Sequence, residues 1–141
     1  MKNIASTYKL FLALASFLSI NLAHAELIWL SNSNDRNGSS SVFYVNDTLQ
    51  KSQDKRYVSA TLITNYDKAI NIDGRFAKSI KAKVFYDCAN IAMKPGDETY
   101  YSDQNAKGTV VANTTVDKNL NYFKVMADSY VLRIKMVCSL E

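Results

Sequence analysis

From residue 26 onward, apolar and polar side chains alternate in short runs separated by polar, turn-forming stretches. That is the pattern of antiparallel strands, whose successive side chains point to opposite faces. "ELIWL" opens the series as a short apolar strand, and "SNSNDRNGSSS" after it carries a turn at Asn37-Gly38. "SVFYVND" places Val42 and Tyr44 on one face and Phe43 and Val45 on the other, which fits a strand covered on both sides or one at a subunit contact. After the polar connection "LQKSQDKR", the segment "YVSATLITNY" sets Val58, Ala60 and Leu62 against Tyr57, Ser59 and Thr61, a half-buried strand.

"NYDKAINIDGRFA" reads as an irregular crossing with a turn at Asp73-Gly74, and the next segment, "KSIKAKVFYDC", has the cleanest alternation in the chain. Ile80, Ala82, Val84, Tyr86 and Cys88 share an inward face, with Lys81, Lys83, Phe85 and Asp87 on the other. "ANIAM", a turn at "KPGD" around Pro95-Gly96, "ETYYSD", a turn at "QNAKG" and "TVVANTTV" complete a meander of short antiparallel strands. "DSYVLRIKMVCSLE" is open to two readings. With period two, Tyr130, Leu132, Ile134, Met136 and Cys138 form an apolar strand face; with helical spacing, Asp128 or Ser129 is an N-cap and Val131, Ile134 and Cys138 fall on one stripe. The indifferent helix propensity of Val, Ile and Tyr tips local pattern toward the strand.

The first 25 residues change the picture. Lys2 and Lys9, the run "LFLALASFLSINL" and the small residues of "AHA" have the layout of a cleavable secretory signal. The run is broken by Ser16, Ser19 and Asn21 and falls short of the roughly 20 apolar residues of a membrane span. Cleavage after Ala25 leaves a single domain over residues 26–141. It removes Lys2 and Lys9 from 17 basic residues, leaving 15 against 13 acidic ones, so the net charge falls from +4 to +2. That balance, with no clustered basic stripe, argues against nucleic acid as a partner. Export also favours oxidised cysteines, and the chain has two, which allow one bridge.

Cleavage also removes His24, the only histidine, and with it the Ser-His and Cys-His nucleophile pairs and the commonest metal ligand. Asp97-Glu98 is the one adjacent acidic pair, placed in a solvated turn, and Asp87, beside Lys81 and Lys83 on the polar face, reads as a member of an exposed cross-strand ion pair. Aligning Gly38 at the sixth position of a calcium loop puts Ser33 at the first and Tyr44 at the twelfth, where Asp and Glu are required. No catalytic residue, metal or cofactor is therefore expected. The tyrosines suit strands and recognition surfaces alike, and Lys78, Lys81 and Lys83 are the candidate binding surface, able to steer an acidic partner protein.

Taken in order, Trp29, the "YVN" at residues 44–46, the alternating strand ending in Asp87-Cys88, "YYSDQNAKG" and a terminal Ser129 followed by Cys138 resemble the surface-adhesin protein E family. The resemblance implies a mainly β (α+β) fold, a single twisted antiparallel sheet of about six strands with one C-terminal α-helix packed on it. It implies a bridge between Cys88 and Cys138 tying helix to sheet, and so favours a helix from about Ser129 to Val137 over the terminal strand. It further implies a non-enzymatic protein that binds host extracellular-matrix or serum proteins, exported to periplasm, medium or cell surface, and a homodimer. This sequence departs from the family in Asn46, in the "MAD" before Ser129 and in having no lipid-attachment cysteine after the cleavage point. A periplasmic inhibitor or immunity protein, or an envelope-accessory protein, is the alternative.

Overall fold

The computed structural model describes residues 25–35 and 38–141. The expected leader up to His24, and Asn37 of the expected first turn, lie outside the described residues. The elements in chain order are β1 (Leu27–Asp35), β2 (Gly38–Val45), β3 (Gln50–Lys51), β4 (Tyr57–Ile72), β5 (Arg75–Asp87), β6 (Ala92–Tyr101), β7 (Val110–Thr114), β8 (Phe123–Lys124) and α1 (Asp128–Ser139). The body of the sheet runs β1-β2-β4-β5-β6-β7, with every neighbouring pair antiparallel. The short β3 adds to β4, and β8 to β6. Order in space follows order in sequence, because short polar turns leave each strand beside its predecessor.

Two segments differ from the reading of the sequence. "NYDKAINIDGRFA" is no irregular crossing: β4 continues through it and turns directly into β5. Ile72 pairs with Arg75, and the intervening Asp73 and Gly74 have φ of 50° and 81°. Positive φ at both positions matches the twist of a two-residue hairpin, which is why Asp-Gly serves there. The irregularity is instead a bulge, where residues 66–69 of β4 stand opposite Lys78 alone.

The second difference is at "KPGD", which is a bulge inside β6 and not a turn. Pro95 pairs with Val84 and Glu98 with Ala82, so Gly96 and Asp97 share Lys83 as their partner. The hairpin turn lies earlier, at residues 88–91, closed by Asp87 opposite Ala92. Proline and glycine signal a bulge as readily as a turn, and only the register separates the two.

One face of the sheet carries the helix. Leu30, Val42, Tyr44, Val58, Ala60, Leu62, Val84 and Tyr86 form its buried surface and pack against Ile134 and Val137 of α1. Tyr66, Ile70, Ala77 and Val111 make a second, smaller cluster. The C-terminal segment is helical, and the Cys88–Cys138 disulfide joins it to the end of β5 with Cα atoms 5.9 Å apart. The Lys51 ammonium donates to the Leu140 carbonyl just past the helix end, a favourable place for a cation. Asp128 lies in the first turn and not at the cap, which is Ala127 and has no side-chain bond.

The buried side of α1 is Arg133, Ile134 and Val137, and Leu132, which a strand would have turned inward, is 56% exposed. Arg133 donates from Nε to Ser31 Oγ at 3.1 Å and lies 4.8 Å from the Tyr130 ring centroid. Its Nη2 and the Tyr86 hydroxyl are buried with no hydrogen-bond partner. Burial pushes the Tyr86 phenol far above its usual range, with the Arg133 charge opposing part of that rise.

Candidate functional site

With the helix on one face, the other face of β4, β5 and β6 carries a band of aromatic and charged side chains. Strand alternation puts Tyr57, Ser59 and Thr61 of β4 across from Asp87, Phe85 and Lys83 of β5, and Lys94 of β6 across from Phe85. Lys83 and Lys94 each place their ammonium 5.4 Å from the Phe85 ring centroid, and Lys94 is also 5.3 Å from that of Tyr122. Tyr122 in turn lies 5.6 Å from Tyr57, whose ring is 5.0 Å from the Arg56 guanidinium. Ammonium and guanidinium groups are drawn to ring faces, so the band interleaves three cations with Phe85 and the Tyr57–Tyr122 pair.

The band ends on a cleft created by the β6 bulge. Pro95 has no N–H to give a neighbouring strand, and Gly96 sits where a Cβ would come within 2.7 Å of the Lys83 carbonyl oxygen. The outer partner of β6 is accordingly split: β7 pairs with Glu98–Tyr101, β8 with Ala92 and Met93, and residues 115–122 run between them. Asp97 secures this loop by accepting from the Val116 amide at 2.9 Å. A cleft of about 340 Å³ is left between Lys83 and Phe85 of β5, residues 94–97 of β6 and residues 116–118 of the loop.

Charge at the site is unevenly compensated. Arg56 and Asp87 form the one ion pair among the described residues, at 3.1 Å. The hydrogen-bonded Arg56 guanidinium, aided by Asn90, holds the Asp87 carboxyl down at about 2 against the upward pull of its burial. The same carboxylate accepts from the Ala89 and Asn90 amides and so shapes the β5–β6 turn. Asp87 is thus in an ion pair, with Arg56 from the segment beside β5, but at 4% exposure it is buried and not exposed as the sequence suggested. Lys83 hydrogen bonds to Gln50 at 3.0 Å, and neither it, Lys94 nor Lys118 has a carboxylate partner.

The three candidate lysines do not form one group. Lys83 lines the cleft, and Lys81, exposed on the same face, stands cross-strand from the buried Ile63 and from Thr99. Lys78 has the opposite parity on β5 and faces away from them. Lys94, Tyr122 and Lys118, absent from the expected surface, are brought in by β6 and the 115–122 loop. Parity alone could have added Phe85; the others depend on register. Asp97 and Glu98 are neighbours on a strand and not in a turn, and Glu98 accepts from Tyr100, whose phenol burial and that bond push up to about 12. Among the described residues no three His, Cys, Asp or Glu side chains are grouped to hold a metal, and no helix is long and apolar enough to cross a membrane.

Fold and face together define a small disulfide-tethered domain with a helix on one side of an antiparallel sheet and a cation-aromatic surface on the other. The sequence profile of surface-adhesin protein E matches residues 29–139, and the chain belongs to that family. By sequence, no curated protein matches it significantly. Its fold is similar to a second crystal form of Haemophilus influenzae protein E, with a TM-score of 0.57 and 14% identity over 79% of this chain and 87% of that one. Protein E from non-typeable Haemophilus influenzae gives a TM-score of 0.56 and 16% identity over 80% of this chain and 75% of that one. Membership in this family marks the chain as an adhesin-like surface protein.

Proposed function

We propose that this protein is an exported, non-enzymatic protein-binding module that engages a host extracellular-matrix or serum protein through the helix-free face of its sheet. The observation that carries the reading is the band from Arg56 through Tyr57, Tyr122, Lys94 and Phe85 to Lys83. Aromatic rings supply contact area at little entropic cost, and unpaired cations at the rim speed encounter with an acidic partner. Lys81 extends the same face, and Lys78 lies outside it. Family membership supports the adhesive role, and the charge balance after cleavage at Ala25 supports a protein partner over nucleic acid. Export delivers the domain to the periplasm, the medium or the cell surface, and the family resemblance extends the proposal to a homodimer.

The test is surface plasmon resonance of the processed protein over immobilised matrix and serum proteins. Wild type is expected to bind at least one of them, and Lys81→Glu/Lys83→Glu to bind it about tenfold more weakly at physiological salt. Equal binding by the two proteins would remove the sheet face from the account. Absence of binding to every protein on the panel would remove the adhesive role.

A further inference from the structure

We propose that the cleft beside the β6 bulge is a subsite for an extended acidic peptide segment of the partner, one that presents an apolar side chain between two carboxylates. This deepens the protein-binding reading of the same face and rests on it. Its volume, about 340 Å³, lies at the low end of the range for ligand pockets, roughly 300–1,000 Å³, and suits one or two side chains better than a cofactor. Its lining combines the apolar Phe85, Pro95 and Val116 with three lysines, Lys83, Lys94 and Lys118.

Charge selects the occupant. Lys83, Lys94 and Lys118 have no carboxylate partner, whereas the two carboxylates of the lining, Asp97 and Asp117, accept from the backbone amides of Val116 and Asn119 at 2.9 Å each. The lining thus carries three cations against two carboxylates, and each carboxylate already accepts from a backbone amide, which leaves a net positive cleft.

Spacing selects the pattern. With both ammoniums 5.4 Å from the Phe85 centroid, Lys83 and Lys94 stand at most about 11 Å apart, the first from the same strand as the ring and the second from the strand paired with it. An extended peptide repeats same-side side chains about every 6.8 Å. An apolar side chain seated beside Phe85 then places acidic residues two positions before and after it within reach of one ammonium each. The motif is acidic-x-apolar-x-acidic, and Lys118 adds a third cation for an acidic flank.

A fluorescein-labelled peptide carrying Glu-Ser-Phe-Ser-Glu, titrated with the processed protein by fluorescence anisotropy, tests this. Binding is expected to weaken about tenfold when both Glu are replaced by Gln, when the Phe is replaced by Ser, and when the protein carries Lys94→Glu/Lys118→Glu. Amide shifts on peptide addition are expected at Gly96, Asp97 and Val116, and thermal unfolding confirms that the variant keeps its fold. Equal affinity for the Gln or Ser peptides, shifts elsewhere on the sheet, or undiminished binding by a folded Lys94→Glu/Lys118→Glu would overturn the proposal. The two readings fail separately. A matrix or serum protein bound equally by wild type and Lys94→Glu/Lys118→Glu leaves the adhesive module standing and removes the subsite. Peptide binding at Gly96 and Val116 with no protein bound on the panel does the reverse.

Discussion

At the scale of single residues, polar groups decide more than apolar ones. The Tyr86 hydroxyl is buried without a hydrogen-bond partner, so it keeps the cost of leaving water and gains nothing in return. Tyr86→Phe removes that cost while preserving the ring that packs under α1, and is expected to leave stability unchanged or raise it by up to about 1–2 kcal/mol in urea unfolding. A loss of more than about 1 kcal/mol would mean that the hydroxyl is paired. Asp87 is the opposite case. Its carboxyl, held down at about 2 in the folded protein, returns to an ordinary value near 3.8 on unfolding. Its contribution is complete above pH 4 and is lost as pH falls toward 2. Between those values the melting temperature of wild type should fall more steeply than that of Asp87→Asn. Parallel acid limbs would show that Arg56 and Asn90 do not hold the charged form. The sequence showed Asp87 beside lysines on one strand, but its partner Arg56 comes from the turn before β4, a meeting that depends on the β4–β5 register.

At the scale of elements, the strands were legible because alternation is a property of the backbone itself, and Ala82, Val84, Tyr86 and Cys88 pack as their parity implies, while Ile80 packs against the second cluster. The bulges were not. Pro95-Gly96 carries the same local cue in a turn and in a bulge, and the choice was made by the hairpin at residues 88–91, which brought Pro95 opposite Val84. The helix was half legible. Its stripe of Val131, Ile134 and Cys138 showed in the spacing, but the indifferent propensity of Val, Ile and Tyr favoured a strand, and the burial of Arg133 beside Ser31 and Tyr130 depends on tertiary contacts. What holds this element in place is the disulfide. Closing a loop of 50 residues stabilises by roughly 4 kcal/mol in the chain-entropy model. Cys88→Ser should therefore lower the melting temperature by roughly 10–20 °C, and Cys138→Ser in the same chain should add little, since one bond is lost either way. Additive losses from the two substitutions would show that each cysteine contributes through packing and not through the bond.

At the scale of the whole molecule, the sheet divides its labour between two faces. One is committed to α1 and the core, and the other, clear of the helix, gathers Tyr57, Phe85, Tyr122 and the lysines without a carboxylate partner around the cleft of the β6 bulge. Lys83 was legible as part of this surface from its parity, and Lys78 fell out of it for the same reason. Lys94 and Tyr122 reach it only through strand pairing and the 115–122 loop, which no local pattern reveals. The direct measurement is the footprint of a bound matrix or serum protein on the amide spectrum of the processed domain. The account predicts that perturbed amides concentrate at Tyr57, Phe85, Gly96, Val116 and Tyr122, with Leu132 and Lys135 of α1 unmoved. A footprint on α1, with the β5–β6 face unchanged, would contradict it.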